Sequence, residues 1–170
     1  MCGDVKRMSA TADRLILVAE NDSSDERLLK WAITNAGIPA PVFFVHDGAE
    51  AMDYLLGIPP YHDRAKYPFP RLLIVNLKMP RVDGFELLSW LQKLPGLDKL
   101  AVAVMSGPSW QQDFERARAL GANLYLNKWL DFSELVQAIK ALPTDDGSRP
   151  AKRSSRGEAR GRKMDQNKVF

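Results

Sequence analysis

The 170-residue chain has little of what builds metal clusters, disulfides or membrane spans. Its one cysteine, Cys2, excludes an intrachain disulfide and a zinc site made of thiolates, and its two histidines, His46 and His62, lie far apart. No apolar run approaches the roughly 18 residues of a membrane-spanning helix, and the start lacks the apolar core of a secretory signal. We therefore expect a cytoplasmic protein in a reducing compartment.

Charge is distributed unevenly along the chain. Residues 143–170 contain eight Lys or Arg and four Asp or Glu, with almost no large apolar residue, whereas the preceding part is close to neutral. Such a segment cannot bury enough apolar surface to offset its ordering entropy, so we predict a disordered basic tail. It serves either as a solubilising extension or as an arm for an acidic partner. The lack of interleaved aromatic residues disfavours nucleic-acid binding.

Short apolar runs alternate with segments of helical periodicity between a flexible arm, residues 1–13, and the basic tail. The runs predict strands at 15–19, 42–45, 72–75, 100–105 and 124–126. The intervening segments predict five helices, the first capped by Ser23 or Ser24 and the last opening at Asp131 or Ser133. This alternation predicts one doubly wound α/β domain, residues 14–142, with a five-stranded parallel sheet.

Polar side chains follow four of the predicted strands. Glu20 follows the first strand, Asn76 the third, Ser106 the fourth and Lys128 the fifth. In open α/β sheets, ligands bind where the strands end and the loops begin. A carboxylate, a hydroxyl and an ammonium around a central polar side chain indicate a site for phosphate and a divalent metal ion.

Two motifs place these residues in a family context. The Lys-Met-Pro-x-x-Asp-Gly loop at 78–84 and the Gly-Ala-x-x-Tyr-Leu-x-Lys segment at 121–128 stand at a specific separation. With them, the chain resembles the CheY-like response-regulator receiver domain of two-component phosphorelay signalling. The resemblance implies a flavodoxin-like sheet of strand order 2-1-3-4-5. It also implies a signalling protein rather than an enzyme, whose partner is a histidine kinase or a downstream target.

The resemblance also implies roles for individual residues. In that family an aspartate ending the third strand accepts a phosphoryl group, and two acids after the first strand hold Mg²⁺ with it. The acceptor position falls on Asn76 and the acid pair on Ala19 and Glu20, so that two departures occur. Ser106 and Lys128 match the residues that bind phosphoryl oxygens.

Further positions concern the surface that family members use for partners. Tyr125 matches an aromatic side chain whose rotamer couples the site to that surface, while Trp129 stands where a proline is expected. The implied partner surface comprises the fourth helix, fifth strand and fifth helix. We expect Trp110, Phe114 and Val136 to be its exposed apolar contacts, with a homodimer as one allowed assembly.

The departure at Asn76 has a direct chemical meaning. A carboxamide is uncharged and its nitrogen lone pair is delocalised, so it is a very poor nucleophile. Mg²⁺ prefers anionic oxygens, and the remaining set of Glu20, the Asn76 side-chain oxygen and the Lys78 carbonyl should bind it only weakly. We also predict that Lys128 pairs directly with Glu20 or Asn76.

The resulting hypothesis is a single-domain receiver that is not phosphorylated and acts as a protein-interaction module. A conventional phosphorylated response regulator that tolerates these substitutions is the first alternative. The second is a small nucleotide-binding α/β protein. No glycine-rich phosphate loop follows the first strand, which disfavours that alternative.

Overall fold

Parallel strands and helices alternate through the residues that the computed structural model describes, namely 15–38, 40–97, 100–107, 110–128 and 133–141. The strands are β1 Ile16–Ala19, β2 Val42–Val45, β3 Leu72–Asn76, β4 Ala101–Ser106 and β5 Leu124–Asn127. The helices are α1 Ser23–Asn35, α2 Gly48–Leu56, α3 Gly84–Gln92, α4 Trp110–Ala119 and α5 Ser133–Ala141. The predicted arm 1–13, the tail 143–170 and Trp129 lie outside the described residues.

The five strands form one parallel sheet in the order β2-β1-β3-β4-β5, which confirms the predicted topology. The central strand, β3, is buried along its whole length, as its run of apolar residues predicts. Ala19 pairs with Val75, and Asn76 pairs with Met105. This register brings the residues that follow β1 to the edge where β3 ends.

Two apolar layers cover the sheet because alternate residues of each strand point to opposite faces. On one face, Leu17 and Val75 join a cluster that includes residues of α2, α3 and α4. On the other, Val18 and Ile74 join residues of α1 and α5. Among the described residues, no helix combines the length and apolar composition needed to cross a bilayer.

The first helix begins differently from the prediction. Its N-cap is Asp22, whose side chain accepts hydrogen bonds from the backbone N–H groups of Ser24 (2.7 Å) and Asp25 (3.2 Å). Ser23 and Ser24 therefore lie inside the helix and do not cap it. The reason is that one carboxylate one position earlier satisfies two of the free N–H groups of the first turn. Leu28, in the second turn of this helix, is 46% exposed.

The connection between α2 and β3, residues 57–70, is fixed by side-chain contacts despite its length. The Arg64 guanidinium donates to the carbonyls of Tyr54 (2.9 Å) and Leu55 (2.8 Å) at the end of α2. The Tyr54 hydroxyl donates to the Pro68 carbonyl at 3.1 Å, and the Tyr61 ring lies 5.0 Å from that of Tyr54. This loop is therefore packed as part of the domain.

Candidate functional site

The ends of β1 and β3 bring a carboxylate and two amides together. Asn76 Nδ2 donates to Glu20 Oε1 at 2.8 Å and to Asn21 Oδ1 at 3.0 Å. Glu20 is fully buried, and Asn76 is nearly so. The strand register explains the contact, since Glu20 and Asn76 each follow directly on a paired position, Ala19 with Val75.

The same amide also fixes the start of the loop after β3. Asn76 Nδ2 lies 3.1 Å from the Lys78 carbonyl oxygen, and the Lys78 N–H donates to Asn76 Oδ1 at 3.2 Å. The nitrogen thus faces three acceptors, while the oxygen faces a donor. Only an amide in this orientation suits both sets of neighbours, because a carboxylate has no hydrogen to donate.

Lys128 joins this group from the end of β5. Its Nζ lies 2.7 Å from Glu20 Oε2 and 2.7 Å from Asp25 Oδ2, which confirms the predicted pairing with Glu20. Burial alone would lower the pKa of the Lys128 ammonium, but its hydrogen bonds to Asp25 and Glu20, together with their charges, raise it above its usual value. We call Glu20, Asn21, Asp25, Asn76 and Lys128 the Asn76 pocket.

The loop that joins β3 to α3, residues 77–83, is fixed on both sides. Arg81 adopts a left-handed backbone conformation, with φ of 62°, and its Nε donates to the buried Asp47 carboxylate at 2.7 Å. At the other end, a Cβ on Gly84 would lie only 2.6 Å from the Asn76 carbonyl oxygen. Glycine is therefore required for α3 to begin against the end of β3.

Comparison with known proteins agrees with this fold. A family model described as the response regulator receiver domain matches residues 16–140. The chain belongs to the response regulator receiver family. Receiver domains are signalling modules of two-component systems that interact with kinases and targets.

Individual relatives give the same result. The probable methanogenesis regulatory protein FilR2 of Methanothrix harundinacea is 29% identical over 140 residues, which cover 82% of this chain and 86% of that protein. The phosphorylated cyanobacterial phytochrome response regulator RcpA is similar in structure, with a TM-score of 0.64, 31% identity and coverage of 75% of this chain and 89% of that one. RPA3017, a response regulator in red light signaling of R. palustris, has a TM-score of 0.67, 31% identity and coverages of 76% and 90%.

The Glu20 carboxylate is already engaged by donors of the chain itself. Among the described residues, it is the one carboxylate that contacts Asn76, and both of its oxygens accept hydrogen bonds. Oε1 accepts from Asn76 and from the Asp22 N–H at 2.9 Å, and Oε2 accepts from Lys128. No group of three or more His, Cys, Asp or Glu in the described part of the chain could hold a metal ion. A hard divalent cation would have to displace an internal ammonium and compete with neutral amides.

The two positions assigned to the acid pair, Ala19 and Glu20, have different surroundings in the structure. Ala19 is the last residue of β1 and is buried in the apolar layer, whereas Asn21 contacts Asn76. The residues that contact Asn76 are therefore Glu20 and Asn21, while Ala19, the other position to which the acid pair was assigned, presents only a buried methyl group.

The backbone of Ser106 contacts the pocket, and its side chain contacts α4. Its carbonyl accepts a hydrogen bond from the Lys128 N–H at 3.1 Å, while its hydroxyl donates to Asp113 Oδ2 at 2.9 Å. Neither Asp25 nor Asp113 was expected at this end of the sheet. Each lies near the start of a helix whose orientation a sequence pattern does not define.

Tyr125 lies beside Ser106 and packs against α4. Its ring meets that of Phe114 edge-on, with centroids 5.5 Å apart. Its hydroxyl is buried and has no hydrogen-bond partner of normal geometry among the described residues. Burial raises the pKa of Tyr125, the nearby Ser106 hydroxyl opposes this shift, and the Asp113 carboxylate adds to it. We call Ser106, Asp113 and Tyr125 the Ser106 corner.

The predicted apolar contacts of the partner surface are less exposed than expected. Phe114 is half-buried against Tyr125, and Val136 is half-buried against the core cluster on the α1 and α5 face. The side chain of Trp110 lies outside the described part of the structure. The large apolar side chains that are exposed among the described residues lie elsewhere, at Leu28, Trp31, Leu56, Ile58 and Phe69.

Proposed function

We propose that this receiver is not phosphorylated and acts in two-component signalling as a protein-interaction module. One observation carries the proposal: Asn76 Nδ2 donates to Glu20 Oε1 at 2.8 Å, at the position where the family has its phosphoryl acceptor. The amide nitrogen has no lone pair available for attack on phosphorus. Its hydrogens are also directed at Glu20, Asn21 and Lys78, so that the side chain serves as a structural donor.

The charge balance of the pocket supports the same conclusion. The Lys128 ammonium lies 2.7 Å from both Glu20 and Asp25, so the chain supplies the cation that offsets these carboxylates. A phosphoryl donor approaches its acceptor with several negative charges and needs a metal ion to offset them. Here the residues predicted to hold that ion are the Glu20 carboxylate, the Asn76 side-chain oxygen and the Lys78 carbonyl, and Glu20 is already paired with Lys128.

A partner surface formed by α4, β5 and α5 is consistent with this role. The described side chains exposed on α4 include Glu115, Arg116 and Arg118, so this surface presents both charge signs. The surface therefore suits a protein partner of complementary charge, namely a histidine kinase or a downstream target. A second copy of the chain is the other occupant, and sedimentation of the purified protein distinguishes the two.

Mass spectrometry of the intact protein tests the chemical half of the proposal. The protein is incubated with acetyl phosphate and Mg²⁺, alongside the matched variants Asn76→Asp and Asn21→Asp/Asn76→Asp. We expect the mass of the natural chain to stay unchanged. A gain of one phosphoryl group by the natural chain would establish the rival function, a conventional phosphorylated response regulator.

A further inference from the structure

We propose that the Asp113 carboxylate, acting through the Ser106 hydroxyl, fixes the first turn of α4 against the end of β4 independently of the Asn76 pocket. The inference rests on the proposed function, because the helix that Asp113 positions belongs to the α4–β5–α5 surface proposed there for a partner. Asp113 is then a positioning residue.

Ser106 is placed to transmit this effect. It is the last residue of β4 and only 2% exposed, and its hydroxyl lies 2.9 Å from Asp113 Oδ2. A hydrogen bond from a hydroxyl to a carboxylate is roughly twice as strong as one between neutral groups. A buried hydroxyl that loses its partner also loses the compensation for its desolvation. The serine therefore favours the arrangement in which α4 brings Asp113 to the strand.

The position of Asp113 in the helix favours the same arrangement. It lies in the first turn of α4, where the free N–H groups of the helix stabilise a negative charge. The carboxylate thus contributes to the start of the helix and to its attachment to β4. In the pocket, by contrast, the Glu20 carboxylate is paired with Lys128. The two anions are satisfied by different partners, which is why we expect the two places to respond separately.

Tyr125 reports on this attachment. It pairs with Val104 on β4, two residues before Ser106, and its ring packs on Phe114 one residue after Asp113. Its buried hydroxyl has no hydrogen-bond partner of normal geometry among the described residues. A change in how Asp113 and Ser106 hold α4 will therefore alter the surroundings of this ring.

Fluorine NMR of protein labelled with 3-fluorotyrosine tests the proposal. The chain has four tyrosines, so four signals are expected, and Tyr125→Phe identifies the relevant one. We expect Asp113→Ala and Ser106→Ala to move the Tyr125 signal in the same direction, and the double variant to move it by less than the sum of the two, since both remove the Ser106–Asp113 hydrogen bond. Glu115→Ala, which removes an exposed acid from the same helix, should leave it in place.

A second pair of variants covers the case in which Asp113→Ala does not fold. Asp113→Asn keeps the shape and removes the charge, and Glu115→Gln is its control. The Tyr125 signal should move in the asparagine variant and not in the glutamine variant. An Asp113→Asn signal that matches that of Glu115→Gln overturns the role of the carboxylate.

Independence from the pocket is tested with Asn76→Asp. Its Tyr125 signal should stay at the natural position, and a displacement as large as that of Asp113→Ala overturns the proposal. This result is separate from the phosphorylation test. Phosphoryl transfer to the natural chain would refute the proposed function, whereas the response of the Tyr125 signal to Asp113 would still be measured in untreated protein.

Discussion

The Asn76 pocket and the Ser106 corner lie side by side at the same edge of the sheet but differ in how their polar groups are satisfied. In the pocket, the Asn76 amide, both Glu20 oxygens and the Lys128 ammonium all contact partners within the chain. In the corner, the Tyr125 hydroxyl is buried without such a partner among the described residues. The polar groups of the pocket are therefore held in one arrangement. In the corner, the Tyr125 hydroxyl has no such partner, so its surroundings can change when a neighbouring contact is lost.

The largest loss of stability should follow from removing the Lys128 ammonium from the Asn76 pocket. Lys128→Met leaves the fully buried Glu20 without its ammonium partner, and loss of one member of a buried pair costs about 3 kcal/mol. Denaturant unfolding, monitored by circular dichroism, measures this loss. Lys93→Met removes an exposed lysine and serves as the control. If the two variants unfold at the same denaturant concentration, the ion pair contributes nothing to stability.

A smaller loss is expected when the central amide becomes an acid. In Asn76→Asp, the nitrogen that donates to three acceptors is replaced by an oxygen, which can only accept. This change should lower the free energy of unfolding by about 2 kcal/mol at neutral pH without metal. Added Mg²⁺ should restore part of this stability in the variant and leave the natural chain unchanged. An Asn76→Asp variant as stable as the natural chain in the presence of a chelator would contradict the assigned amide orientation.

Removing a hydrogen bond from the Ser106 corner should lower the free energy of unfolding by less than the changes in the Asn76 pocket. Ser106→Ala removes one hydrogen bond to a carboxylate while the helix start still stabilises Asp113, so we expect a loss of about 1 kcal/mol. The same unfolding measurement gives the ranking directly. A loss equal to that of Lys128→Met would mean that the two regions form one network, and the contrast drawn above would no longer hold.

The smallest effect at ordinary pH concerns titration. The pKa of Lys128 is raised in the folded protein, and burial raises the pKa of Tyr54 to about 12. A group that holds its proton more tightly when folded contributes stability that is complete below its unfolded pKa and is lost as pH rises through the folded value. The free energy of unfolding should therefore stay level near neutrality and fall above a pH of about 10. Lys128→Met should show a shallower fall, and identical slopes would contradict the assignment.

Much of the architecture is predictable from local patterns, because a strand that is buried on both faces is encoded by a continuous run of apolar residues. The run from Leu72 to Val75 is continuous and apolar, and it forms the central strand. The meeting of Glu20, Asn76 and Lys128 follows from the fact that parallel strands end at one edge. These residues are the part of the site that strand order determines.

The remaining features depend on helix orientation and on one-residue details. Asp25 and Asp113 reach the strand ends from α1 and α4, and helical periodicity does not reveal how a helix is rotated against the sheet. Phe114 fits an exposed helical face by spacing, yet its ring packs edge-on against Tyr125 of β5. The contact of Asn21 with Asn76 depends on the course of the chain after β1, which a strand pattern does not define.

The contacts of Arg64 have a practical consequence for protein engineering. Long connections rich in proline are common places to insert a tag or a fluorescent reporter, because most tolerate extra residues. Residues 57–70 are different, since Arg64 supplies hydrogen bonds to the last carbonyls of α2. A cassette inserted between Tyr61 and Tyr67 would separate two rings 5.2 Å apart and pull the guanidinium away from the helix. Labels for imaging this receiver are better attached at a chain end than within its longest connection.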